Sequence, residues 1–262
     1  MGVLNVTPDS FSDGGAFIDR ETAVAHGARL ADDGADLVDV GGESTRPGAA
    51  PVPVDEEIAR VVPVIEGLRA SRPELGLSVD TRRAEVARAA LAAGAHVVND
   101  VSAGADPDTF EVAREAGAGL VLMHMRGDPR TMQDDPRYDD VVAEVHEHLR
   151  ERVEAALFAG LDADRLAVDP GIGFGKDLGH NLELLRALDR LADLDAALVL
   201  GASRKRFLGT LMGVDDPADR LEGSLAAAVW GATHGVDVVR VHDVRPTVRA
   251  LAVADAIARG GV

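Results

Sequence analysis

Eight short apolar, β-branched runs alternate with longer amphipathic stretches from one end of the chain to the other, and this alternation restricts the possible folds more than any other feature. The runs are GVLNV ending at Val6, LVDV ending at Val40, LGLSVD ending at Asp80, AHVVND ending at Asp100, GLVLMH ending at His124, RLAVD ending at Asp169, ALVLGAS ending at Ser203 and VVRVHD ending at Asp243. Between them lie segments with apolar residues three and four apart, such as RETAVAHGARLADDG and YDDVVAEVHEHLRERVEAALFAG. Short buried-strand patterns separated by helical patterns signal βαβ units and a parallel sheet. Eight such units in 262 residues predict an α/β fold, a (β/α)8 TIM barrel occupying residues 1–262 as a single domain, because such barrels take about 250 residues. A doubly wound open sheet is the alternative. Gly34, Gly94, Gly117 and Gly160 close helical segments, where a left-handed C-cap precedes the next strand.

A barrel of this kind builds its site from the C-terminal strand ends and the loops that follow them. Here nearly every strand end is polar: Asn5, Gly41 to Arg46, Asp80, Asn99, His124, Asp169, Ser203 to Arg206, and Arg240 with His242. Helix capping explains any single carboxylate in that set. It does not explain the set. The segments TPDSFSDGGAF and GGESTRPGAAPVPV, after the first and second strands, are long and glycine-rich, and are expected to act as lids over the barrel mouth.

Composition removes several function classes. The formal charge of -18 repels a phosphate backbone, so no nucleic-acid partner is expected. No run of about 18 apolar residues and no secretory pattern occurs, which points to the cytoplasm and to no membrane partner. Without cysteine, any metal must be held by oxygen or imidazole. DPGIGFGK looks like a phosphate-binding glycine loop, but that motif needs glycine where Pro170 stands and Ser or Thr where Asp177 stands. His146 and His148 are two apart on a helix, so they point to different faces and read as solvated surface. His26, His96, His180 and His234 read the same way.

If Asp80, Asp169, Asn99 and Lys205 converge under the barrel mouth, they offer acceptors for several N–H groups, one adaptable amide and one cationic donor. The edge of a reduced pterin matches that code. Arg46, Arg240 and His242 form an anion site on the other side. Asn5, with Asp13 on the first long loop, offers hard oxygen ligands suited to Mg²⁺ bridging a diphosphate. Metal-assisted departure of diphosphate follows as the reaction class.

The motifs NVTPDSFSDGG, DVGGESTRPGA, SVDT, VNDVS, LMHMRG, DPGIGFGK, SRKRFLG and RVHDV stand together in the order found in the dihydropteroate synthase family of pterin-binding barrels, which this chain resembles over essentially its whole length. The resemblance implies that Asp80, Asn99, Asp169 and Lys205 hold the pterin, with Met123 and Phe174 lining its pocket. It places Asn5 at the Mg²⁺ and Thr45, Arg46, Arg240 and His242 around the diphosphate. Phe11 and Pro47 match residues that close over 4-aminobenzoate, together with Arg46, Phe174 and Lys205. The aminobenzoate carboxylate is expected near Arg206, which stands where many members have serine. The implied reaction joins (7,8-dihydropterin-6-yl)methyl diphosphate to 4-aminobenzoate, with Lys205, Asp80, Arg240, His242 and Arg46 as the catalytic set. A homodimer is implied as well. The alternatives are a pterin-binding methyltransferase and a non-catalytic pterin-binding paralogue; the TPDSF and SRKR segments argue against the first.

Overall fold

The computed structural model describes residues 1–6, 16–44, 51–128 and 131–259. Among these, eight strands alternate with helices: β1 (Gly2–Asn5), α1 (Ala16–Asp32), β2 (Leu37–Gly41), α2 (Val54–Ser71), β3 (Gly76–Asp80), α3 (Ala84–Ala92), β4 (Val97–Asp100), α4 (Thr109–Ala116), β5 (Gly119–Met123) and α5 (Val141–Phe158). The second part adds β6 (Leu166–Asp169), α6 (Leu178–Arg186), α7 (Leu188–Leu191), β7 (Ala197–Leu200), α8 (Arg206–Met212), α9 (Leu221–Ala232), β8 (Val238–Val239) and α10 (Val244–Arg259).

The strands are hydrogen-bonded in sequence order, each parallel to the next. A parallel bridge between Gly2 and Val241 closes the ring, through Val3 N donating to Val241 O at 3.0 Å and Val241 N donating to Met1 O at 2.9 Å. Closure excludes the open sheet. The chain therefore has the TIM barrel fold, and the four expected glycine caps all carry positive φ.

Strand alternation divides the barrel into two environments. Leu4, Val38, Val40, Leu77 and Val79 belong to the fully buried apolar cluster beneath the helices. Each fully buried leucine there contributes about 1.5–3 kcal/mol. Gly27 shows how closely α1 packs: a Cβ there would meet Leu68 of α2 at 2.8 Å and Leu4 of β1 at 3.1 Å. The alternate positions turn inward, and Asp39, Ser78, Asp80 and Asn99 are all buried. At the C-terminal ends, register places Asn5 beside Gly41, Gly41 beside Asp80 and Asp80 beside Asn99. The strand ends thus gather polar side chains from β1, β3 and β4, with Gly41 of β2 leaving room between them.

Candidate active site

A small cleft at the C-terminal end of the barrel is lined by Asp80, Asn99, Met123, Asp169, Phe174 and Lys205, together with Arg240. Asp80, Asn99, Asp169 and Lys205 are therefore brought together from β3, β4, β6 and the loop after β7. Thr45, Arg46, Pro47, Phe11 and Asp13 lie outside the described residues. Asn5 stands at the rim, where a Cβ added at Gly41 would meet Asp80 Cβ at 3.5 Å and Asn5 Oδ1 at 3.7 Å.

Each polar group in the cleft has one part fixed and another left over. Asp169 accepts from Gly171 N at 2.7 Å on one oxygen; its other oxygen faces Gly201, where a Cβ would lie 3.4 Å away. The Asn99 amide donates to Asp39 Oδ2 at 3.0 Å, which leaves its oxygen as an acceptor. Arg240 Nε donates to Asp39 Oδ2 and Arg240 Nη2 to Asp80 Oδ2, both at 2.7 Å. Asp39 and Arg240 meet across β1, a contact that only a barrel interior permits. Lys205 Nζ lies 3.9 Å from the centre of the Phe174 ring, close enough for a cation–π attraction.

Burial sets the charge states. It raises the Asp80 carboxyl to about 7 in spite of Arg240, with Asp39 and Glu57 adding to the shift. Asp169 is raised by burial too, against its bond from Gly171 N and the charge of Lys205. Burial, with Arg240 nearby, lowers the Lys205 ammonium to about 8, although Asp169 and Asp80 oppose it. Arg240 is raised: burial disfavours its charge, but Asp39 and Asp80 outweigh that cost. Burial beside Arg240 and Arg204 lowers His242 to about 4. It is neutral at pH 7, a hydrogen-bonding group rather than a cation. Its Nδ1 lies 3.1 Å from Ser203 Oγ.

Residues 1–242 match the family described as pterin binding enzyme. The dihydropteroate synthase of Escherichia coli (strain K12) is 48% identical over 256 residues, covering 98% of this chain and 90% of the relative. The Xanthomonas albilineans dihydropteroate synthase, solved with 4-aminobenzoic acid, aligns with a TM-score of 0.93 at 53% identity, over 98% of this chain and 92% of that one. The chain belongs to the dihydropteroate synthase family. The X. albilineans enzyme in complex with 7,8-dihydropteroate also aligns, with a TM-score of 0.90 at 50% identity, over 98% of this chain and 92% of that one.

In this member of the dihydropteroate synthase family the SRKR segment divides its labour. Arg204 holds Asp243 through two hydrogen bonds, at 2.9 and 2.6 Å; Lys205 lines the cleft; Arg206 is exposed at the first position of α8. His148 and His180 correct the expectation of a solvated surface, whereas His96 is exposed as expected. His146 pairs with Asp193 at 2.8 Å, but His148 is half-buried and packs edge-on to His124, ring centres 5.0 Å apart. His180 takes part in the capping box of α6 with Asp177.

Two residues of this arrangement are absent from the sequence-based set. Asp39, fully buried, is the hub for Asn99 and Arg240, and a carboxylate inside the apolar strand LVDVG is a signal of inward chemistry. Lys176 ends the DPGIGFGK segment and turns into the protein, where its Nζ lies 2.9 Å from His124 Nδ1. Its rarity was the available signal: only Lys176 and Lys205 are lysines.

Proposed function

We infer that the chain joins (7,8-dihydropterin-6-yl)methyl diphosphate to 4-aminobenzoate, releasing 7,8-dihydropteroate and diphosphate, as a transferase of folate biosynthesis. One observation carries the reading: acceptor oxygens of Asp80, Asn99 and Asp169 and the ammonium of Lys205 share one cleft, with the Phe174 ring closing a side. The N–H donors of a reduced pterin edge suit those oxygens, and its carbonyl and ring nitrogen suit the ammonium.

The same groups supply the chemistry. As the diphosphate leaves, positive charge grows on the pterin methylene, and ionised Asp80 is placed to offset it. Arg240 spends Nε and Nη2 on Asp39 and Asp80, keeping Nη1 for the diphosphate. Neutral His242, with Nδ1 engaged by Ser203, offers its other ring nitrogen. Thr45 and Arg46 complete the anion site in this reading. The amine of 4-aminobenzoate is neutral at cellular pH, so attack needs no strong base. Phe11, Pro47 and Phe174 enclose its ring, and Arg206 meets its carboxylate.

Among the described residues no group of three or more His, Cys, Asp or Glu side chains is set to hold a metal. Asn5 is a single hard donor. Such a sparse set fits Mg²⁺ that keeps waters and substrate phosphate oxygens as its other ligands. With Asn5 and Asp13 as its protein contacts, the ion would neutralise the departing diphosphate.

No helix among the described residues is long and apolar enough to cross a membrane. We place the enzyme in the cytoplasm as a homodimer, joined through Trp230, Val248, Val253 and Ile257, which α9 and α10 leave exposed. Light scattering should give twice the 27.3 kDa chain mass; a monomer at micromolar concentration removes the dimer. Incubating the protein with both substrates and Mg²⁺ should release diphosphate and dihydropteroate in equal amounts. Tight pterin binding without diphosphate release would sink the reading.

A further inference from the structure

The chain has two lysines, and the chemistry above uses one of them. Lys176 is only 2% exposed and lies behind the pterin cleft. Its Nζ donates to Gly171 O and Phe174 O, both at 3.0 Å, and lies 2.9 Å from His124 Nδ1. His124 O lies at 3.4 Å as well, and none of these partners is a carboxylate. Burial, with Lys176 beside it, lowers His124 to about 2, so the ring is neutral. Burying a cation without a bonded counter-ion is costly, and burial accordingly lowers the Lys176 amine to about 7, with Asp169 opposing the shift. An amide would supply fewer donors from one atom, whereas the compact ammonium ties three points of the backbone and ring at once.

What it ties is the segment 170–175. Gly171, Gly173 and Gly175 have φ of 67, 81 and 62°. A Cβ at Gly171 would fall 1.9 Å from His124 O, and one at Gly175 2.4 Å from Arg126 O, so this backbone is pressed against the segment after β5. Three such glycines leave a loop with many alternative shapes unless something selects one. Side chains do so here. Beyond the two carbonyls held by Lys176, Gln133 donates to Gly173 O at 2.7 Å and Tyr138 to Gly175 O at 2.8 Å. Asn181 Oδ1 accepts from Gly173 N at 2.7 Å. The opposite side of the same loop forms the cleft: Gly171 N fixes Asp169, Phe174 presents its ring to Lys205, and a Cβ at Gly173 would touch Lys205 Cδ at 3.3 Å.

We propose that Lys176 is a positioning residue for the pterin site: by gathering Gly171 O, Phe174 O and His124, it locks residues 170–175 so that Asp169 and Phe174 face the ring correctly. The proposal rests on the pterin assignment above. The test uses the full chain with Lys176→Met, which keeps the stem and removes the donors. Equilibrium binding of 6-hydroxymethylpterin is measured beside that of inorganic diphosphate, whose contacts are on the Arg240 and His242 side. Pterin affinity should fall about tenfold or more, as for loss of charged hydrogen bonds, with diphosphate affinity within about twofold of wild type. The KM for pterin diphosphate should rise in step. Unchanged pterin affinity, or an equal loss for both ligands, overturns the proposal. If Lys176→Met fails to fold, Gln133→Ala and Tyr138→Phe each remove one other tie to the loop. Each should weaken pterin binding about threefold while sparing diphosphate; wild-type pterin affinity in both overturns the proposal as well. A wild-type protein that binds no pterin instead overturns the functional reading, so the two failures are distinguishable.

Discussion

Lys205 works in a slot bounded by the Phe174 ring, 3.9 Å away, and by the carboxylates of Asp80 and Asp169. A guanidinium keeps the charge but brings a planar fork wider than an ammonium. Lys205→Arg is therefore expected to cut kcat/KM for pterin diphosphate about 100-fold, the scale of a misplacement near 1 Å; kinetics like the wild type would refute the role. Because burial lowers the ammonium to about 8, its proton is lost early as pH rises. The free-enzyme kcat/KM should decline through about pH 8, and a flat profile between pH 7 and 9.5 would assign the ring contact elsewhere. Asp80 has the opposite linkage. Its folded value of about 7 lies above the ordinary 3.8, so the ionised carboxylate costs stability above pH 7 and nothing below the unfolded value. Asp80→Asn removes that cost. The Tm of the variant relative to wild type should improve between pH 5 and pH 8 while turnover is lost, and a difference that shrinks over that range contradicts the assignment.

At the scale of elements, the site depends on ties between loops of neighbouring strands. Arg204 has a φ of 58°, its N–H donates to Ser224 Oγ at 2.9 Å, and its guanidinium grips Asp243. It thereby joins the loop after β7 to α9 and to the start of α10. Arg204→Ala should cost about 1–2 kcal/mol, after discounting for partial exposure. That corresponds to a fall of roughly 2–8 °C in Tm, with a higher KM because Lys205 and His242 flank the tie; an unchanged Tm refutes it. Such ties also mark where sequence reasoning stopped. The strands were legible because β-branched runs between helical periods have few other folds, and Asp80, Asn99, Asp169 and Lys205 were legible because polar groups at barrel strand ends converge. Asp39 was missed because its partner Arg240 lies 201 residues away, and nothing local encodes that contact. Lys176 was missed because its segment reads locally as a failed phosphate loop, and only the fold turns its side chain inward. The eighth run reads as strand to Asp243; β8 covers Val238–Val239, and its backbone goes on pairing through Arg240 N to Leu200 O and through the bridge of Val241 to Gly2.

For the whole molecule, net charge and ion pairs make opposite demands. Exposed pairs such as Arg88 with Glu115 and Arg150 with Glu147 are each worth about 0–1 kcal/mol and weaken with salt. Against them stand 45 acidic and 27 basic residues, a surplus of carboxylates whose mutual repulsion extends over the surface and opposes compactness. Salt screens both, but the surplus repulsion is the longer-ranged term, acting beyond a Debye length of about 10 Å at 0.1 M. Repulsion should therefore be relieved first, and Tm should rise as KCl goes from about 0.05 to 0.5 M. The same field bears on the proposed reaction, because a diphosphate must approach a strongly negative protein to reach Arg240. Its contacts inside the cleft are short and barely screened, whereas the approach is long and fully screened. Between about 0.01 and 0.1 M KCl, kcat/KM for the pterin diphosphate is expected to increase while kcat stays level. A KCl series with a sucrose control for osmolarity measures both quantities. A Tm that falls across the series would show that ion pairs, not net charge, govern stability, and a falling kcat/KM would show that the local cations steer the substrate from beyond the cleft.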